Sequence, residues 1–209
     1  VRDRMPPWMR ETAMIQEQLA FALNRTGDGE RAERILTALV ERRGPSSETC
    51  ALLGRVYKDR WIATRKSGAA DAPEWLDKAI AAYLDGFEAD PRDCYPGINA
   101  VTLMELKEPP DERRRNILTV LRQSIAKKIV ASEPDYWDHA TLVELAVLAE
   151  DEAAASDALA DALAHMREPW EAETTALNLS LINAARKKRG AFRNWMLEIE
   201  TALEKRASP

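Results

Sequence analysis

Two stretches of the sequence repeat the same spacing of small and bulky residues, and this repetition constrains the fold more than any other feature. In both stretches four positions follow one another at steps of four, three and five residues: Ala32, Leu36, Leu39 and Gly44, then Ala79, Tyr83, Gly86 and Pro91. Steps of three and four place side chains on one face of a helix. Small residues on such a face let a second helix approach closely. The pattern therefore predicts tightly packed pairs of antiparallel helices.

The second stretch also carries the opening half of a known repeat. Leu53-Gly54, with Tyr57 three residues after the glycine, resembles the start of the tetratricopeptide pattern, and the steps from Ala79 to Pro91 resemble its end. Gly54 costs a helix about 1 kcal/mol relative to alanine, so close packing is the expected reason for it. We predict an all-α, tetratricopeptide-like α-solenoid of about five antiparallel helix pairs. Its helices are predicted at residues 8–25, 28–43, 47–65, 73–89, 95–107, 111–131, 135–149, 151–167, 170–187 and 190–205.

The domain organisation follows from the same pattern. We expect one helical-repeat domain over residues 1–209 with a flexible start at residues 1–7. Ala20 and Ala32 lie twelve residues apart, whereas the equivalent Gly54 and Ala79 lie 25 apart. The extra residues predict an inserted, exposed loop at 64–73, and the helix pair at 170–205 is expected to cap the stack.

Composition and charge exclude several classes of function. The pI of about 5.3 and the net charge of −5 disfavour nucleic-acid binding. Residues 135–175 carry eleven acidic side chains and one basic, Arg167, whereas residues 176–209 carry seven basic and three acidic. The sequence contains no apolar run long enough to cross a membrane, which predicts a chain without a membrane partner.

The cysteines and histidines predict neither a metal site nor a cofactor. Cys50 and Cys94 form no metal-binding motif, and a reduced, cytoplasmic protein with buried thiols is expected. The two histidines, His139 and His165, have no spacing that suggests metal ligation. No arrangement of nucleophile and base is recognisable, so we expect no catalytic residue and no enzyme.

Three segments resemble a specific family. Residues 53–60 read LGRVYKDR, residues 79–91 end in FEADP, and residues 97–103 begin with GIN. Their order and spacing are similar to the TRAF-binding region of apoptosis signal-regulating kinases, which reads GRIYKD, FE-x-x-P and GIN. The resemblance implies a helical-repeat regulatory scaffold within a multidomain signalling protein. The chain shows no kinase motif. Its alanine- and arginine-rich composition suggests a bacterial relative, for which the resemblance implies an immunity-like system.

The candidate binding residues lie around the first of these segments. Arg55, Lys58 and Asp59 have i, i+3, i+4 spacing and share a helix face that is expected to line the concave groove. Arg25 is expected in the neighbouring stripe, beside Phe21 and Asn24. Arg25, Arg55 and Lys58 together would suit a phosphate or carboxylate. The alternative is a solvated Arg55–Asp59 pair that stabilises the helix by about 0.3–0.5 kcal/mol.

Two further residues complete the predicted binding set. Arg60 ends the LGRVYKDR segment. Asn99 is interpreted either as a helix N-cap or as a groove ligand. Most tryptophans are expected in the core, with Trp8 and Trp61 as candidates for exposed contacts.

The sequence favours a non-enzymatic scaffold that binds a partner protein or a second copy of itself. The alternative is a sensor that binds a phosphorylated or nucleotide-derived small molecule through Arg25, Arg55 and Lys58. A structural spacer between domains is the third possibility. An exposed apolar patch would favour protein partners, and a deep basic pocket would favour the small molecule.

Overall fold

The computed structural model describes residues 5–207, and every regular element in that range is an α-helix. The eleven helices of the described range are α1 (Pro7–Arg10), α2 (Ala13–Arg25), α3 (Gly29–Arg43), α4 (Ser47–Ser67), α5 (Ala72–Ala89), α6 (Cys94–Glu105), α7 (Arg114–Ala131), α8 (Tyr136–Leu148), α9 (Glu152–His165), α10 (Pro169–Lys188) and α11 (Asn194–Ala207). The all-α prediction is confirmed.

The chain divides into two compact units, Val1–Ala100 and Val101–Pro209, and the division falls within α6. In the first unit α2 packs on α3, α3 on α4, and α4 on α5. In the second, α8 packs on α9, α10 on α11, and α8 on α10. The single-domain and capping predictions stay predictions. Residues 1–4 of the predicted flexible start lie outside the described residues, and Pro7 already begins α1.

The repeat positions form the core of the first unit. One buried cluster of this unit consists of Ala20, Ala32, Leu36, Leu39 and Val56. A β-carbon on Gly54 would lie 2.7–2.9 Å from three ring atoms of the fully buried Tyr83. The sequence predicted close packing near Ala79; the contact is with the bulky residue one turn further along α5.

The predicted loop at 64–73 is wrong over most of its length. Helix α4 continues to Ser67, and α5 begins at Ala72, so the connection is short. The Thr64 hydroxyl donates to the carbonyls of Arg60 and Trp61, at 3.0 Å each, so its polar group is satisfied inside the helix. Gly68 then ends the helix in a left-handed conformation at φ 71°. Most of the inserted residues therefore lengthen α4.

Two other predicted boundaries are also wrong. The helix predicted at 8–25 is interrupted, because Thr12 is extended and caps α2, while the Gln16 amide donates to the Arg10 carbonyl at 2.6 Å. The last helix starts at Asn194 rather than at Gly190. Gly190 instead terminates α10 at φ 71°, a conformation that favours glycine.

Candidate functional site

Five of the six predicted binding residues lie close together in the first unit, three of them at least partly exposed and two, Lys58 and Asn99, buried. They lie on the end of α2, the middle of α4 and the start of α6, and are Arg25, Arg55, Lys58, Asp59 and Asn99. Direct contacts connect each helix to the next. We call this the α2–α4–α6 surface.

The two arginines of this surface share one aromatic ring. The guanidinium carbons of Arg25 and Arg55 each lie 5.7 Å from the centre of the Phe21 ring. Arg25 is exposed and Arg55 is half-buried. Contact with the ring face attracts each cation and restricts its movement while leaving guanidinium N–H groups able to bind. Two cations are therefore held side by side at the junction of α2 and α4.

Asp59 supplies a negative charge next to these arginines. Its carboxylate accepts a hydrogen bond of 2.6 Å from the Asn24 amide of α2. Asp59 is exposed, so its remaining lone pairs face solvent. Arg55 and Asp59 thus both contact α2. The surface presents both signs of charge.

Lys58 and Asn99 form a buried bridge between α4 and α6. The Lys58 ammonium donates to the Asn99 side-chain oxygen at 3.0 Å, and the Asn99 amide donates to the Tyr95 carbonyl at 3.0 Å. Only 8% of Lys58 is exposed. Asn99 lies inside α6, so its interpretation as a helix N-cap is wrong. The bridge positions the helices that carry the exposed charges.

Two tyrosines lie beneath this bridge and beside Arg55. The rings of Tyr83 and Tyr95 meet edge to face with centres 6.2 Å apart. Burial raises the pKa of Tyr83 well above its ordinary value. Burial also raises the pKa of Tyr95, and the nearby Arg55 cation opposes that rise. Tyr95 as a whole is 39% exposed, so part of this residue contributes to the surface.

Arg60 lies apart from the other predicted binding residues. Its guanidinium pairs with Glu33 of α3 at 3.0 Å and lies 4.3 Å from the centre of the Trp75 ring. Lys78 approaches the same ring, with its ammonium 4.2 Å from the centre. These contacts are to α3 and α5. Arg60 therefore joins α4 to its packing partners.

The burial of Lys58 leads to a stability prediction. Lys58→Ala should lower the free energy of unfolding by about 1–3 kcal/mol, because the buried Asn99 oxygen loses its donor. Urea denaturation would measure the change, with Lys127→Ala on the exposed part of α7 as the control. Equal effects of the two substitutions would show that the Lys58–Asn99 bond contributes nothing specific.

Sequence reasoning missed the role of Tyr95 and underestimated the burial of Lys58. Tyr95 precedes Asn99 by one helical turn, and the helix predicted at 95–107 already contains both, so their shared face could have been inferred from this spacing. No comparable signal exists for Lys58, because its burial depends on a residue of another helix.

The described residues contain no group of three or more His, Cys, Asp or Glu side chains arranged to hold a metal ion. Within the same range, no helix is both long and apolar enough to cross a membrane.

A solved structure supports the fold. The chain is similar to a thermophilic TPR protein from Thermus thermophilus, with a TM-score of 0.54 and 14% identity; the likeness covers 93% of this chain and 98% of that one. At this identity the likeness shows the fold alone, and it confirms the tetratricopeptide-like fold class.

Two sequence comparisons identify the family. The chain is 34% identical over 198 residues to the mitogen-activated protein kinase kinase kinase nsy-1 of Caenorhabditis elegans, covering 86% of this chain. It spans only 13% of that relative's length. The profile of the MAP3K TRAFs-binding domain matches residues 4–199. The family and the fold are both those of interaction modules. The chain belongs to the MAP3K TRAFs-binding domain family.

Proposed function

We propose that this chain is a non-catalytic regulatory module that binds a partner protein through the α2–α4–α6 surface. The observation that carries the proposal is the pair of arginines on Phe21, with Asp59 and the exposed part of Tyr95 beside them. Arginine and tyrosine are enriched at protein interfaces. Phe21 and the buried Lys58–Asn99 bridge hold these groups in place before binding, which reduces the entropy lost on association.

The class of partner is suggested by the family. Its description names TRAF proteins, and we propose a signalling protein of that class as the partner. Arg25 and Arg55 require carboxylates on the partner, whereas Asp59 requires a cation. By the same family membership, we propose that the module belongs to a longer protein whose activity responds to this binding.

The small-molecule sensor has no support from the fold or the comparisons. The sensor was predicted because Arg25, Arg55 and Lys58 were expected to converge around one anion. The Lys58 ammonium is buried and bonded to Asn99, whereas both arginines lie on the Phe21 ring. A protein surface explains these positions better than an anion pocket does.

The test of the proposed function is a double charge reversal, Arg25→Glu with Arg55→Glu. Binding to a TRAF protein should weaken at least about tenfold, because two attractive contacts become repulsive. Isothermal titration would measure the affinity. The melting temperature checks that the variant is folded: Arg25 is exposed and contributes little to stability, whereas Arg55 is half-buried on Phe21, so a modest decrease is expected.

The matched control is Arg122→Glu with Lys127→Glu, which reverses the same amount of charge on the exposed part of α7. It should leave the affinity within about twofold of wild type at moderate salt, because neither residue belongs to the α2–α4–α6 surface and salt screens the effect of net charge. If both double variants weaken binding equally, net charge is responsible and the α2–α4–α6 surface is not the site. Unchanged binding by the arginine variant would reject the surface as well.

A further inference from the structure

Two tryptophans lie side by side on the second unit, far along the chain from the proposed binding surface. Trp137 and Trp170 occupy the first turns of α8 and α10, which pack against each other. Their ring centres are 5.6 Å apart and their planes are tilted by 39°. Tyr136 supports the pair from below, edge to face with Trp137 at 5.1 Å. The packed rings form one rigid aromatic platform, which we call the tryptophan pair.

Trp170 of the tryptophan pair and Leu177 are two exposed apolar side chains on one face of α10. Trp170 is 52% exposed and Leu177, seven residues later on α10, is 49% exposed. Seven residues are two helical turns, so the two side chains share a face about 10 Å apart along the axis. Exposed aromatic and aliphatic groups at this spacing match the side chains of a second helix laid along α10.

Two exposed glutamates lie close to Trp170 along the chain. Glu173 is on the same side of α10 as Trp170, three residues along, and Glu168 is exposed just before the helix. Residues 135–175 include eleven acidic side chains and one basic side chain, Arg167, and the nearby Lys128 of α7 is paired with Asp138. Such a surface attracts cations.

The partial positive charge at the N-termini of α8 and α10 does not cancel this attraction for cations. The start of a helix carries partial positive charge, which alone would repel a cation. The Asp135 carboxylate accepts hydrogen bonds from the backbone N–H groups of Trp137 and Asp138. The Glu171 carboxylate accepts from those of Arg167 and Glu168. These two carboxylates offset the helix ends, and Glu168 and Glu173 remain as further negative charge.

We propose that the tryptophan pair and Leu177 form a second protein-binding surface, whose occupant is a basic amphipathic helix of a partner protein. An arginine or lysine of that helix would lie on the exposed face of Trp170, where the ring and Glu173 both attract it. An apolar residue two turns away would pack on Leu177. Aromatic faces bind cations most strongly when water is excluded, as it would be under a docked helix.

The probe is a synthetic alanine- and glutamine-based helical peptide about four turns long, with Arg and Leu seven residues apart. The protein carries six tryptophans, and their indole N–H signals can be followed by NMR after assignment by single Trp→Phe substitutions. Titration should shift the signals of Trp137 and Trp170 and leave that of Trp8, which is 70% exposed on the first unit, unchanged.

Three variants test the recognition chemistry by isothermal titration. Trp170→Ala should weaken peptide binding at least about tenfold, and Glu173→Lys about fivefold, because each removes an attraction for the cation. Trp8→Ala is the matched control, an exposed tryptophan outside the surface, and should change nothing. Melting temperatures of the Glu173 and Trp8 variants should remain close to wild type, since these side chains are exposed, whereas Trp170→Ala loses its ring contact with Trp137 and should lower the melting temperature slightly.

Several results would overturn the proposal. One is a peptide that fails to shift the two indole signals at millimolar concentration. Another is equal binding of a peptide in which glutamate replaces the arginine. A third is dimerisation of the chain by itself that Trp170→Ala abolishes, since the occupant would then be a second copy.

Discussion

Replacing Arg186 with methionine should lower the free energy of unfolding by about 3–5 kcal/mol, the cost of breaking a buried ion pair by removing one partner. Only 3% of Arg186 is exposed, and its guanidinium donates to the Glu105 carboxylate at 3.1 Å. The same guanidinium donates to the carbonyls of Val147 and Leu148, at 2.9 and 3.0 Å. These carbonyls lie in the last turn of α8, where the regular helical N–H partners are missing. One side chain therefore neutralises a buried carboxylate and caps a helix.

Methionine preserves much of the volume and removes every hydrogen bond of the guanidinium. Glu105 would keep Arg114 and Arg189, at 3.0 and 2.5 Å, so its charge would stay compensated and the loss is expected at the lower end of this range. The Val147 carbonyl would keep the backbone N–H of Glu150, at 3.1 Å, whereas the Leu148 carbonyl would lose its donor. The desolvation of these acceptors accounts for much of the expected loss.

Urea denaturation followed by circular dichroism would measure this change. Arg193→Met is the control, because the Arg193–Glu150 pair is 3.8 Å long and both side chains are largely exposed. An exposed pair contributes about 0–1 kcal/mol. A loss from Arg186→Met no larger than that from Arg193→Met would show that the buried network does not stabilise the fold.

Buried polar contacts such as those of Arg186 also explain why the tetratricopeptide spacing is visible in only part of the sequence. The first two helix pairs are packed by small and bulky residues such as Ala32, Leu36 and Tyr83, whose spacing can be read directly. In the second unit, buried polar side chains occupy comparable positions. Glu144 of α8 accepts from Thr102 and Asn178, at 3.1 and 2.9 Å. Polar residues in a core interrupt hydrophobic periodicity, so sequence reasoning found the helices but not their packing.

The site shows the same division between local and tertiary information. Helical spacing predicted that Arg55, Lys58 and Asp59 share a face, and all three reach neighbouring helices on one surface. Spacing cannot show that Lys58 is buried, because that depends on Asn99, which is 41 residues away. The burial of Trp61, shortly before the predicted loop, was also not foreseen. Trp61 was expected as an exposed contact and is buried.

Trp170 shows the opposite error. The sequence placed it in the core, where most tryptophans were expected, and the structure leaves it half exposed beside Trp137. Nothing in its local sequence separates the two outcomes, because Pro169 and the first turn of α10 are compatible with both. Whether Trp170 is exposed depends on which neighbouring helices cover the first turn of α10.

Gly54→Leu should destabilise the protein by roughly 3 kcal/mol, at the upper end of the usual range for overpacking. A β-carbon alone would lie 2.7 Å from the Cγ atom of Tyr83, and leucine adds three more carbons. The Tyr83 ring is fully buried and meets Tyr95 edge to face, so it cannot turn aside without disturbing α6. Any helix stabilisation from replacing glycine, about 1 kcal/mol, is smaller than this cost.

The control for this prediction is a second glycine in the same unit. At Gly29 the nearest atoms to an added β-carbon are 3.4 and 3.9 Å away, which is ordinary contact. Gly29→Ala should therefore be neutral or stabilising by up to about 1 kcal/mol. Gly54→Ala should instead destabilise, by less than leucine does, although both substitutions replace glycine with a better helix former. Thermal and urea unfolding of the three variants would separate packing from propensity. If Gly54→Ala raised stability as Gly29→Ala does, the close contact between α4 and Tyr83 would not exist in solution.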